Sequence, residues 1–386
     1  MSQKIGLVGA RGIGKTTLLT AAFDETIKVG FGQVGIVIQA HEEETREILN
    51  INKNSLAGIL SGGLNFQNRG LGSTMTAQLY DFEMYLASQP DLPLVFQIMD
   101  YPGELFKTQS GDAWNACRSH LLASRVIIVP VDASLIMETR NAEDKARIPG
   151  LLGLAEAGNI VLEWAASQLA IGQSWFLNIF FGPFKRAIGQ SRPLDIILCP
   201  VKCEKYFKDN GGNVDASVEL YATTLEHYKG IIDQAVEINP GIRAHYLPVD
   251  SMGCVEHYRT DWNNDPPKQF FRLREHRRRT VKGAEDLMGI IVENFIHQMD
   301  CDAQVKINGN DLEKKSKQGR ITEINDQWFL FRWWNSSEQI KLEEEVAQIN
   351  QSNQKLKQHK DMLQTIRTKM AEKKSGRYKP LMEAGK

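Results

Sequence analysis

The eight residues Gly9-Ala10-Arg11-Gly12-Ile13-Gly14-Lys15-Thr16 constrain this chain most, because they follow the apolar run Lys4–Val8 and precede the helix-compatible run Thr16–Phe23. A strand that breaks into glycine and restarts as a helix makes a loop whose backbone N–H groups turn inward. Glycine is needed wherever a Cβ would block that turn. The spacing G-x-x-x-x-G-K-[ST] adds a lysine and a hydroxyl at the helix N-terminus, where the dipole favours an anion. Gly9, Ala10, Arg11, Gly12, Ile13, Gly14 and Thr17 are expected to line a phosphate cradle, Lys15 to neutralise β- and γ-phosphates, and Thr16 to offer its hydroxyl to Mg²⁺. The ligand expected from this pattern is a nucleoside triphosphate with Mg²⁺.

A second block, Asp100-Tyr101-Pro102-Gly103-Glu104, stands directly after the apolar run Leu94–Met99. There the Asp100 carboxylate reaches the metal across the sheet, and Gly103 presents its N–H to the γ-phosphate, a contact that exists only with a triphosphate. Ala77–Leu86 and Leu94–Met99 read as a hairpin about the turn Ser88–Pro93, Arg125–Val131 and Leu194–Pro200 as buried parallel strands, and His245–Val249 as a weaker third. The fold class expected is α/β: a Ras-like P-loop NTPase, mostly parallel sheet with helices on both faces, helical insertions, and a C-terminal helical, coiled-coil extension.

The expected core domain covers 1–302, with insertions at about 24–73 and 135–192, and its last helix is Gly283–Met299. The second insertion holds a helical pattern, Leu151–Leu169, and the aromatic stretch Trp175–Phe184. A small β element is expected over 303–336, from Val305, Ile307, Ile321 and the cluster Trp328–Trp334. Over 337–375 Leu342, Ile349, Leu356, Leu363 and Met370 recur every seven residues, a helical coiled-coil seam; the other seam position carries Val346, Asn353, Lys360 and Arg367, which predicts weak or partner-specific pairing. The tail 376–386 reads as frayed.

On these motifs the chain resembles the TRAFAC class of P-loop GTPases over about Met1–Asp302, and its DYPGE block is most similar to the YcjX-like branch. The resemblance implies a phosphate loop at Gly9–Thr17, a switch II at Asp100–Gly103 and a switch I threonine on Mg²⁺, for which Thr76 is chosen and Thr74 is the neighbouring alternative. Glu104 stands where Ras-like members carry the glutamine that orients water, so it is the candidate base; Arg11 is a candidate cis arginine finger, with a solvated loop arginine as the plain reading. Val201-Lys202-Cys203-Glu204 takes the place of the guanine-reading [NT]KxD motif, with the Lys202 stem along the purine and Glu204 accepting from N1 and N2. Asp250-Ser251-Met252-Gly253 resembles the loop that contacts the base oxygen, through Ser251.

Lys+Arg of 46 against Asp+Glu of 47 leaves a net charge of −1, so no overall field draws nucleic acid or an anionic membrane. Arg272–Arg279 is a local basic run, read first as a solvated face. Cys117, Cys199, Cys203, Cys254 and Cys301 lack metal-ligand spacing and suit reduced thiols, MSQKIGLVGA lacks a leader pattern, and no run of about 18 apolar residues occurs, so the cytoplasm is expected. Membrane contact without spanning is left to the two aromatic clusters, whose first reading is burial.

The function expected is Mg²⁺-dependent binding and slow hydrolysis of GTP as a switch read by a protein partner, through the switch segments or the C-terminal helix, which also offers a homodimer contact. The alternatives are an ATPase of similar fold, and a nucleotide-gated interaction module with negligible turnover.

Overall fold

A computed structural model describes residues 3–61, 65–67, 76–178, 194–210, 215–274, 280–325, 336–371 and 376–382. The strands are β1 (Gln3–Leu7), β2 (Ile36–Ala40), β3 (Asn65–Gln67), β4 (Gln78–Leu86), β5 (Leu94–Asp100), β6 (Val126–Asp132), β7 (Leu194–Val201), β8 (Ile242–Tyr246), β9 (Val255–Asp261), β10 (Lys268–Leu273) and β11 (Lys379–Met382). The helices are α1 (Lys15–Ala22), α2 (Glu25–Gly32), α3 (Glu43–Ser61), α4 (Leu105–Thr108), α5 (Gly111–Leu122), α6 (Ala133–Met137), α7 (Ala142–Leu152), α8 (Leu154–Asn178), α9 (Ser217–Ile238), α10 (Ala284–Asn325) and α11 (Ser336–Ala371).

Eight strands form one sheet in the order β11-β8-β7-β6-β1-β5-β4-β2. β5, β1, β6, β7 and β8 are mutually parallel, and β4, β2 and β11 pair antiparallel to their neighbours β5, β4 and β8. Every residue of β6 and β7 is buried, as continuous apolar runs require when helices cover both faces. Side chains alternate across the sheet: Val126 and Ile128 join Leu18, Leu287, Phe295 and Ile366 on one face, while Ile127 and Val129 join Leu121, Trp164 and Ile232 on the other. Trp164 is fully buried because its indole N–H donates to the Ser124 carbonyl at 2.8 Å. Among the described residues no helix is long and apolar enough to cross a membrane.

The α/β class and the β4–β5 hairpin stand as expected, and other expectations need correction. The insertion 24–73, expected to be helical, holds the edge strand β2 of the main sheet and β3 of a second sheet, β3-β10-β9. The third strand is Ile242–Tyr246 rather than His245–Val249, because the backbone beyond it leaves regular pairing while still bonding to β7 at Leu247 and Val249. The second insertion is helical as far as Asn178; 179–193, with most of Trp175–Phe184, lie outside the described residues.

The core domain does not end at Asp302, and the first part of the β element expected over 303–336 is helix instead: α10 continues unbroken to Asn325 with Val305, Ile307 and Ile321 on it. A long helical partner decides this. The pairs Asp300–Gln364, Asn310–Asn353, Lys317–Glu345 and Arg320–Glu338 set α10 and α11 antiparallel, overriding a local strand pattern. The seam residues Ile349, Leu363 and Met370 are buried within this chain, and its polar positions find partners on α10: Asn353 on Asn310 and Asp311, Arg367 on Glu293. The cluster Trp328–Trp334 lies outside the described residues.

The tail expected to fray forms β11 on the edge of β8, with the Arg377 guanidinium in front of it bonded to Asp209 at 2.5 Å and Asp250 at 2.8 Å. A buried ion pair and a strand's worth of backbone bonds outweigh the composition that suggested disorder.

Candidate functional site

The glycine loop leaves β1 at the C-terminal edge of the parallel strands. Gly12 and Gly14 take φ of +77° and +109°, left-handed conformations that side chains resist, and Gly14 caps α1. Lys15, the first residue of α1, is buried and donates to the Gly9 and Ala10 carbonyls at 2.9 and 3.0 Å. Its ammonium also lies 5.5 Å from the centre of the Tyr101 ring. Burial lowers the Lys15 pKa below its ordinary value, opposed by the charges of Asp100 and Glu104. A cation so placed gains from any anion that enters beside it.

β5 delivers the second block to the same place. Thr16 Oγ1 donates to Asp100 Oδ2 at 2.5 Å, and Asp100 is fully buried. Gly103 lies against the loop itself: a Cβ there would stand 2.2 Å from the Arg11 nitrogen and 2.7 Å from the Ala10 carbonyl carbon. Only glycine allows that approach. Arg11 and Glu104 form an exposed ion pair at 2.6 Å across the junction, so each holds the other in this structure. Thr76 is exposed two residues before Gln78, which pairs with Asp100; among the described residues its hydroxyl bonds to neither Thr16 nor Asp100, and Thr74 lies outside them.

The third part comes from the exits of β6, β7 and β8. Lys202 adopts φ +56°, unusual for a side chain of its length, and its ammonium bonds to the Gly12 carbonyl at 2.9 Å, to Gln269 Oε1 at 2.8 Å, and to Asp132. The turn after β7 is thereby tied to the glycine loop. Glu204 is buried, accepts from the Met252 N–H at 3.1 Å, and has its pKa pushed up to about 7 by burial first and by Asp250 next. Asp250 is itself held by Arg377 at 2.8 Å and accepts from the Cys203 thiol at 3.2 Å. Gly14, Thr17, Lys202, Glu204, Ser251 and Phe271 are among the residues that line one pocket here.

No family model, curated protein or solved structure matches the chain.

The corner's own donors define what it can hold. A glycine turn that opens a helix, a buried lysine and that helix's N-terminus suit phosphate oxygens. Among the described residues no three His, Cys, Asp or Glu side chains cluster to hold a metal; Thr16 and Asp100 are the oxygen donors that could share a divalent ion with a bound phosphate. These contacts or this pocket join the described residues expected at the site, Gly9 to Gly12, Gly14 to Thr17, Asp100, Gly103, Glu104, Lys202, Glu204 and Ser251; Thr76 stands apart, and Ile13 is instead buried in the hydrophobic core.

Sequence reasoning missed Asp132, Gln269, Phe271 and Arg377. Asp132 carried a signal, an acid at the exit of an apolar strand; it caps α6 through the Leu135 N–H. Gln269 and Phe271 arrive from a second sheet and Arg377 from the tail, separations no local pattern reports. The basic run is not a free patch where described, since Arg272 and Arg274 both pair with Glu256; residues 275–279 lie outside the described ones.

Proposed function

We propose that the chain binds a nucleoside triphosphate with Mg²⁺, GTP foremost, between Gly9–Thr17 and Asp100–Glu104, hydrolyses it slowly, and presents the triphosphate state to a protein partner in the cytoplasm as a GTPase switch of the Ras-like P-loop kind. The observation that carries this reading is the meeting of the two motifs: Thr16 on Asp100 at 2.5 Å, beside a buried Lys15 whose ammonium rests on loop carbonyls. On binding, Lys15 exchanges the Gly9 and Ala10 carbonyls for the β- and γ-phosphates, and Thr16 and Asp100 are the residues that would hold the metal. Gly103 lies against the loop, and its N–H would meet the γ-phosphate, so the segment after it responds to loss of that group. Lys15 is preorganised to stabilise the charge on the transferring phosphoryl group while water attacks in line; a Mg²⁺ ion, when bound, would supply further positive charge there. Glu104 acts as base once the Arg11 pair opens, and Arg11 is thereby released toward the phosphates.

Guanine preference rests on Lys202, whose stem runs toward the loop at Gly12, and on Glu204 beside Ser251. ATP is the second reading, favoured by the burial of Glu204 against the Met252 N–H, which would leave an adenine without its partner acid but also without a penalty. Labelled GTP and ATP, titrated with Mg²⁺ into the wild type and Glu204→Ala with released phosphate followed in parallel, test this. GTP preference that collapses in Glu204→Ala supports the guanine switch; indifference to the substitution, or ATP preference, refutes it while leaving the phosphate site standing. Tight stoichiometric binding without phosphate release points to the interaction-module reading, for which the Arg11–Glu104 pair gives the reason.

A further inference from the structure

The pocket lined by Gly14, Thr17, Lys202, Glu204 and Ser251 takes its outer wall from elsewhere in the fold. β10 of the small sheet buries Gln269 and Phe271 on its inner face, while Phe270 turns outward onto Arg259. Gln269 fixes the strand to the main domain: its Oε1 accepts from Lys202 at 2.8 Å, and its amide donates to Asp132 at 3.1 Å and to Ser134 at 2.7 Å. With Gln269 so held, Phe271 enters the pocket beside Leu56 and Ile59 of α3, and His257 of β9 braces its ring edge-on at 5.6 Å. The inner wall thus brings Lys202, Glu204 and Ser251 to the pocket and the outer wall Phe271, Leu56 and Ile59, and the surface left open between them is mostly apolar. A flat, π-bearing heterocycle fits an apolar slot walled in this way, and its phosphates would run toward Gly14.

Resting on the nucleotide reading above, we propose that Phe271 is a specificity-determining residue of the site, the face on which the nucleobase stacks, so that the small sheet and α3 are the outer half of the base pocket. As it stands the pocket encloses about 70 Å³, less than half the roughly 150 Å³ apolar cavity that accepts benzene, so the small sheet and α3 shift outward to admit a purine.

The test compares two probes, labelled Mg·GTP and inorganic tripolyphosphate with Mg²⁺, on the wild type, Phe271→Leu and Phe271→Tyr. Leucine keeps the apolar wall and tyrosine keeps the ring. Loss of base stacking weakens binding by roughly 5- to 100-fold. The expected result is that fall for GTP in Phe271→Leu alone, with tripolyphosphate affinity unchanged and Phe271→Tyr close to the wild type. Equal GTP affinity in wild type and Phe271→Leu overturns the inference, as does a parallel loss for both probes, which marks a purely structural role. A wild type that binds tripolyphosphate as tightly as GTP also overturns it and leaves the phosphate site intact, whereas binding of neither probe overturns the nucleotide reading and this inference with it.

Discussion

Replacing Glu204 by glutamine keeps the side chain's length and an acceptor for the Met252 N–H but removes its titration. In the wild type burial, and then Asp250, push the carboxyl from its ordinary 4.5 up to about 7. The folded value lies above the unfolded one, so the charged form is what the fold disfavours. The cost is absent below about pH 4.5, grows between there and about 7, and is complete above. At 1.36 kcal/mol per pH unit that gap is worth about 3 kcal/mol, so Glu204→Gln should flatten a decline in stability that the wild type shows over this window. GTP affinity should run the other way, because guanine N1–H and N2–H donate to the carboxylate. With a midpoint near 7 the carboxylate fraction rises about tenfold from pH 6 to pH 8, and affinity should rise with it. The γ-phosphate titrates in the same range, so the quantity to measure is the ratio of wild-type to Glu204→Gln affinity for labelled Mg·GTP at each pH. A ratio that climbs about tenfold fits the account. A ratio flat from pH 6 to 8 would refute Glu204 as the group that reads the base.

Gly103→Ala places a methyl 2.2 Å from the Arg11 nitrogen, backbone that cannot swing aside, so the switch segment and the glycine loop must part. We expect a loss of about 1–3 kcal/mol in chemical denaturation and weakened discrimination between GTP and GDP; unchanged stability would show that the two segments are not packed this closely. Asp195→Asn strips the charge from a buried hub that accepts from Arg243 at 2.7 and 2.8 Å, His245 at 2.8 Å and Asn294 at 2.7 Å. The loss expected is about 3–5 kcal/mol, measurable by urea unfolding. Burial alone would raise the Asp195 pKa, but bonds from His245 and Arg243 hold it down at about 2, so its stabilisation is complete above the ordinary 3.8 and is lost as pH falls toward 2. Acid unfolding of wild type and Asp195→Asn that coincides over this window would contradict the assignment.

The parts of the fold legible in the sequence were those with a local cause. Lys4–Val8, Arg125–Val131 and Leu194–Pro200 are runs too apolar for anything but buried strands, and all three fall within a residue or so of β1, β6 and β7. The glycine loop and the Asp100 block were legible for the same reason: their chemistry is written in consecutive residues. What was not legible depended on partners far along the chain. Val305 and Ile307 alternate like a strand, yet α11, thirty and more residues on, makes them helical. Arg377 sits in a polar, glycine-flanked tail, and only its closure onto Asp209 and Asp250 turns that tail into structure. The heptad pattern on α11 was visible, but nothing in it told that α10 of the same chain supplies the facing surface. The Phe271 wall is the extreme case, since a base pocket that borrows a side from a separate sheet leaves no spacing to detect.

Calorimetric titration of Mg·GTP into the wild type and Lys15→Met shows whether Gly9–Thr16 with Asp100 binds a magnesium nucleoside triphosphate. Saturable one-to-one binding is expected that disappears when Mg²⁺ is chelated and weakens about a hundredfold or more in Lys15→Met, since two or more charge-assisted hydrogen bonds to phosphate are lost while the far-ultraviolet circular dichroism stays that of the wild type. Absence of saturable binding of GTP and of ATP to the wild type, or equal binding by the variant, would contradict it.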